Sequence, residues 1–231
     1  MNQYHHALDC VERRLKEMLK EIERARLLEQ INSWELRQSC LLRLEDKSER
    51  LTLLTRALPC YTGSRTAADD VKEIVREVVP VEMGFTEEGW FCLRIPMLLP
   101  RKEHGSVSYI RGFLYPAMSE FFSKKPLVRY PKCVIIYRHV YGRDRPERQY
   151  RDHDNIEINF VTDSVALYTM PDDNPLVCRH YYCSAAGDPE RTEVYVVPQE
   201  DFIRWQLQEP SIPDDGVFLL ENRPDPTEKG P

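Results

Sequence analysis

Apolar residues recur at alternating spacings of three and four through residues 4–30. Leu8, Val11, Leu15, Met18, Ile22 and Ala25 form an a/d seam, with Glu12, Arg13, Lys16, Glu17, Lys20, Glu21 and Glu23 on outer positions. Asn32 and Ser33 supply N-cap candidates for a second periodic run, Leu41, Leu44, Leu51, Leu54 and Leu58, which stops at Pro59. Residues 1–60 therefore predict a helical hairpin of coiled-coil type. Such a seam is buried within the hairpin or against a second copy, so a homodimer and a purely intramolecular packing element both stay open. His5 and His6 are helical neighbours that do not face one ligand, and they read as surface residues.

Residues 61–87 read as a connection. Cys60 to Ser64 form a loop, and Val71, Ile74, Val75 and Val78 share one face of a short helix over 67–79, ended by Pro80. From Gly84 the pattern changes to strands. Residues 90–95 and 132–140 read as strands, 96–105 as a proline-bounded loop carrying Arg101 and Lys102, and 107–123 as a helix kinked by Pro116. Residues 176–183 and 192–197, joined by a turn over 185–189, predict a β-hairpin. After Trp205 the composition turns to Pro and Asp, and residues from about 210 to 231 read as a tail of low order. The expected class is α+β: a small mixed sheet with helices over 88–205, preceded by the helical hairpin and followed by the 206–231 tail.

Composition narrows the field. A formal charge of −6 on 231 residues argues against nonspecific coating of nucleic acid. Seven scattered cysteines with no secretory segment before them point to free thiols in a reducing compartment, and hence to a cytoplasmic location. No run of about 18 apolar residues predicts a membrane span.

Against this acidic background, Arg138, Arg143, Arg145, Arg148 and Arg151 face only Asp144 and Glu147 in one stretch, with tyrosines interleaved. The stretch ends in Arg151-Asp152-His153-Asp154-Asn155, and a further acidic pair, Asp172-Asp173, follows. If the intervening segment folds back, these carboxylates converge and can hold a hard divalent cation, while the arginines hold a phosphate backbone. Read singly, each acidic group is a turn or a helix cap, and the basic run is a solvated loop. Cys178, His180 and Cys183 do not form a soft-metal site, because in a strand 183 points away from the other two. His153 is a minor proton-carrier candidate.

The order of strand, basic loop, Arg-Asp-x-Asp-Asn, a short segment, Asp-Asp and two strands resembles the RusA type of Holliday junction resolvase over residues 88–198. The loop over 96–104 is similar to the proline-rich loop that follows that family's first strand. The resemblance implies a small mixed α/β fold, usually a homodimer, that uses Mg²⁺, or Mn²⁺ in its place, to nick branched DNA. Carried over by position, Asp152, Asp154 and Asp173 are the catalytic metal ligands, with Asp172 beside them. Arg143, Arg145, Arg148, Arg151, Arg101 and Lys102 then contact DNA. The family commonly places a lysine where this chain has Ile158, so the resemblance leaves open a degenerate relative that only binds DNA or protein. A coiled-coil adaptor is a third class. Residues 155–160 alternate like a strand, while Ile156, Phe160, Ser164, Leu167 and Tyr168 fit a helical stripe that Asp154 or Asn155 would cap.

Overall fold

The computed structural model describes residues 3–30, 33–102, 106–123, 125, 128–146 and 150–224. The chain divides into two compact units, residues 1–74 and 75–231.

In the first unit, α1 (Gln3–Glu29) and α2 (Trp34–Ala57) pack side by side, as their periodicity predicts. Glu21 pairs with Arg43, and Glu17 and Glu21 with Lys47, which sets the two helices antiparallel. Ser33 is the N-cap of α2 but makes no side-chain cap bond; Asn32 lies outside the described residues. Pro59 falls in a 3-10 turn, Leu58–Thr62, that closes the hairpin. The unit boundary falls within α3 (Ala67–Val78), the helix expected over 67–79.

The second unit is built on a five-stranded mixed sheet, so the α+β class holds. Its strands are β1 (Glu82–Phe85), β2 (Phe91–Ile95), β3 (Cys133–Tyr141), β4 (Cys178–Ala186) and β5 (Arg191–Pro198), in the spatial order β1-β2-β5-β3-β4. One face carries Phe91, Ile135 and Tyr137 and is covered by α4 (Ser106–Phe122) and α5 (Asn159–Thr169). Pro116 lies inside α4 as expected. On the other face Cys92, Val134, Ile136, Tyr195 and Val197 pack with Trp205 of α6 (Phe202–Gln208).

The expected hairpin of the last two strands does not form. β3 lies between them, pairing parallel with β4 and antiparallel with β5. All nine residues of β3 are buried, so it needs a neighbour on each side, as strands covered on both faces do. β4, with Arg179, His180 and Ser184 exposed, suits the edge. The β3–α5–β4 connection is the helical crossover that a parallel pair requires.

The C-terminal stretch also departs from the low order expected of it. Phe85 and Leu220 exchange backbone hydrogen bonds of 2.8 and 2.7 Å, so residues around 220 cover the β1 edge. Gly84 makes room for them: a Cβ there would come within 2.6 Å of the Leu220 carbonyl oxygen. Residues 225–231 lie outside the described residues. No described helix is long and apolar enough to cross a membrane, and all seven cysteines are thiols.

Candidate functional site

The Arg151–Asn155 stretch is held by its neighbours rather than by helix α5. Arg151 donates its backbone N–H to the Tyr141 hydroxyl at 3.1 Å and its guanidinium to the Leu99 carbonyl. His153–Asn155 form a single 3-10 turn, with the exposed Asp152 before it and the exposed Asp154 within it. The proline-bounded loop runs alongside: Lys102 N–H bonds Asn155 O at 3.0 Å, Glu157 N–H bonds Pro100 O at 2.9 Å, and Arg101 bridges Ile156. α5 therefore begins at Asn159, with Ile158 as N-cap, not at the motif. Val161 and Val165 are buried and Leu167 is exposed, so the helix is turned from the expected stripe. Ile158, where the resemblance places a lysine, is buried, and its carbonyl accepts the Tyr137 hydroxyl at 3.2 Å.

The distant acidic pair goes elsewhere. Asp172 closes a turn on itself, accepting the Asp173 N–H at 2.9 Å and the Asn174 amide at 2.5 Å, which holds its carboxyl below the usual range. Asp173 lies against Asp163 of α5. Burial, and then this second carboxyl, raise the Asp163 pKa. Among the described residues, which include all four predicted ligands, no three His, Cys, Asp or Glu are grouped to hold one metal ion. The four predicted ligands do not form one cluster. One predicted ligand faces another carboxyl, one is used in its own turn, and two stand on a separate turn.

The arginines are largely committed to the protein's own carboxylates. Arg143 pairs with Asp214 at 2.6 Å, and Arg145 grips Glu190, whose Oε1 also accepts the Gly142 N–H at 3.1 Å. Arg138 is buried between Glu193 and Glu209 at 3.1 and 2.8 Å. Arg101 and Lys102 are exposed and make no ion pair among the described residues. Arg148 lies outside the described residues.

Sequence reasoning missed Asp163 and the ring cluster beside it. The parallel register sets His180 opposite Ile135, Tyr182 opposite Tyr137 and Ser184 opposite His139. The rings of His180, Tyr182 and His153 stack in a row, at centroid distances of 6.3 and 5.6 Å, and His153 reaches His139 at 5.6 Å. His139 is buried and its Nε2 has no partner. Burial, then the neighbouring His153 and Arg151, press its pKa down to about 4. Only the β3–β4 register, invisible in a one-dimensional pattern, brings these rings together. Cys178 and His180 share this face, while Cys183 packs on the other, so they form no site. A cavity of about 310 Å³ beside α6 is walled by Trp90, Tyr195 and Trp205, but these rings are core, at most 2% exposed.

The hairpin presents a different surface. Its interior holds ions: Glu21 and Lys47 have side chains 14% and 19% exposed where the helices meet. Met18, Ile22, Leu44, Leu51 and Leu54 are half-buried, and a second set of apolar side chains is exposed, Leu8, Leu15, Leu19 and Leu27 on α1 and Trp34, Leu36, Leu41 and Leu42 on α2. Cys40 is the one buried residue of α1 and α2 among those described. No curated protein and no solved structure matches the chain. A family model does, over residues 1–218, taking in both the helical hairpin and the sheet: the chain belongs to DUF6100, a family of unknown function.

Proposed function

We propose that this protein is a noncatalytic binding module that works through a protein partner held by its N-terminal helical hairpin. The observation that supports this is the set of exposed apolar side chains along both helices of the hairpin, from Leu8 to Leu27 on α1 and from Trp34 to Leu42 on α2. Burying one such side chain contributes roughly 1.5–3 kcal/mol. A row of them along two helices is the kind of apolar surface that marks an interaction site. The second unit agrees with this reading, because its aspartates are dispersed and its described loop arginines are engaged by Asp214, Glu190, Glu193, Glu209 and the Leu99 carbonyl.

A metal-dependent nuclease acting on branched DNA is the second reading. One observation favours it: the backbone of Arg101 and Lys102 pairs with the segment just after Asp152 and Asp154, setting two cations beside two acids. One experiment separates the readings. Wild type and Asp154→Asn are incubated with a synthetic four-way junction and Mg²⁺ or Mn²⁺. No Asp154-dependent product is expected. Cleavage by the wild type that Asp154→Asn loses overturns the binding-module reading.

A further inference from the structure

Resting on the binding-module reading, we infer that the partner on the hairpin is a second copy of this chain, joined about a two-fold axis at Leu19. The ion pairs Glu21–Arg43 and Glu17–Lys47 fix which residues of the two helices lie level. By that register Trp34 lies level with residue 30 of α1, and Leu41 with residue 23. Leu27, also exposed on α1, lies level with the exposed residues of α2, whereas Leu8, Leu15 and Leu19 stand well along the hairpin from Trp34 and Leu41. A hairpin cannot cover one row with the other.

A second copy related by a two-fold axis can cover both. Leu8 and Leu15 are one heptad apart, and so are Trp34 and Leu41, a spacing of about 10 Å on a helix rising 1.5 Å per residue. An axis at the level of Leu19, with the two loop ends pointing in opposite directions, brings Leu8 level with the partner's Trp34. The same axis brings Leu15 level with the partner's Leu41. It also sets Leu19, itself 59% exposed, level with its own counterpart. One rotation makes all three of these pairings, as an isologous interface requires, and the product is a four-helix bundle.

Charge favours the same occupant. Residues 1–62 carry eleven basic and ten acidic side chains, whereas the whole chain is at −6, which leaves −7 on the remainder. A nearly neutral hairpin offers little to a strongly acidic or basic partner and does not repel its own copy.

Light scattering on the size-separated full-length protein at micromolar concentration tests this. The wild type should show twice 27.3 kDa, and Leu19→Glu should show 27.3 kDa with helical circular dichroism retained. Leu207→Glu, an exposed leucine in the other unit, should leave the mass doubled. A wild-type mass of 27.3 kDa overturns the inference, whether the chain's own second unit or a different protein covers the row. So does a doubled mass in a folded Leu19→Glu. Should Leu19→Glu not fold, Leu19→Cys decides. A disulfide between the two introduced thiols, formed under copper–phenanthroline and located by peptide mapping, supports the axis, and a dimer without it overturns the axis. A monomeric mass without junction cleavage sinks the second copy alone, whereas Asp154-dependent cleavage sinks the function reading.

Discussion

β3 buries nine consecutive residues between two strands and two covering layers, while the paired helices α1 and α2 bury Cys40 alone among their described residues. Both regions contain ions away from bulk water, but under different terms. In the sheet, Glu193 is fully buried and is held by Arg138, by Arg191 at 2.7 Å and by the Tyr195 hydroxyl at 2.9 Å. In the hairpin, Glu21 meets Arg43 and Lys47 at 3.2 and 3.7 Å, with water still near. Charges so placed stabilise little by themselves. The second unit covers its sheet with its own side chains, though Leu176, Ile203, Leu207 and Phe218 stay exposed outside it, whereas the hairpin buries little of its apolar surface.

The largest expected effect separates these two kinds of ion pair. Glu193→Ala leaves the buried Arg191 without its carboxylate and Arg138 with Glu209 alone, and should destabilise the protein by about 3–5 kcal/mol in urea unfolding. Glu21→Ala should cost at most about 1 kcal/mol, because its partners remain near water. Equal losses would erase the distinction between the regions.

A smaller effect comes from pH. The folded-state pKa of His139 is about 4, below its ordinary 6.5. Between these values the unfolded chain binds the proton and the folded chain does not, so stability rises with pH. The contribution is fully present above pH 6.5 and is lost as pH falls towards 4, a change of about 3 kcal/mol. Unfolding curves at pH 7 and pH 4 should therefore differ less in His139→Gln than in the wild type. An unchanged pH dependence in the variant would show that this ring does not carry it.

Periodicity makes the helices legible: the hairpin, the short helix after it and α4 with its internal proline stand close to where their apolar spacing puts them. β2 and β3 are equally plain, because dense apolar runs have few other uses. The pairing of β4 and β5 is not, since neighbours in sequence suggest a hairpin and only the double burial of β3 forces it between them. At the candidate site, spacing reveals the aspartates but not their directions. The turn at Asp152–Asn155 and the self-closed turn at Asp172 send them apart. The arginines look available in the sequence because Asp214, Glu190 and Glu209 lie some 45–71 residues further along the chain. Most of the predicted seam is half-buried, but Leu8, Leu15 and Leu41 are exposed, because a heptad pattern does not say how deeply two helices bury it.

Amide hydrogen exchange on the full-length chain at two protein concentrations tests the central contrast most directly. Exchange in α1 and α2 should slow as concentration rises, because a second copy closes the hairpin, while exchange in β3 and β5 should stay the same. Hairpin amides that exchange at one rate at both concentrations would contradict the account.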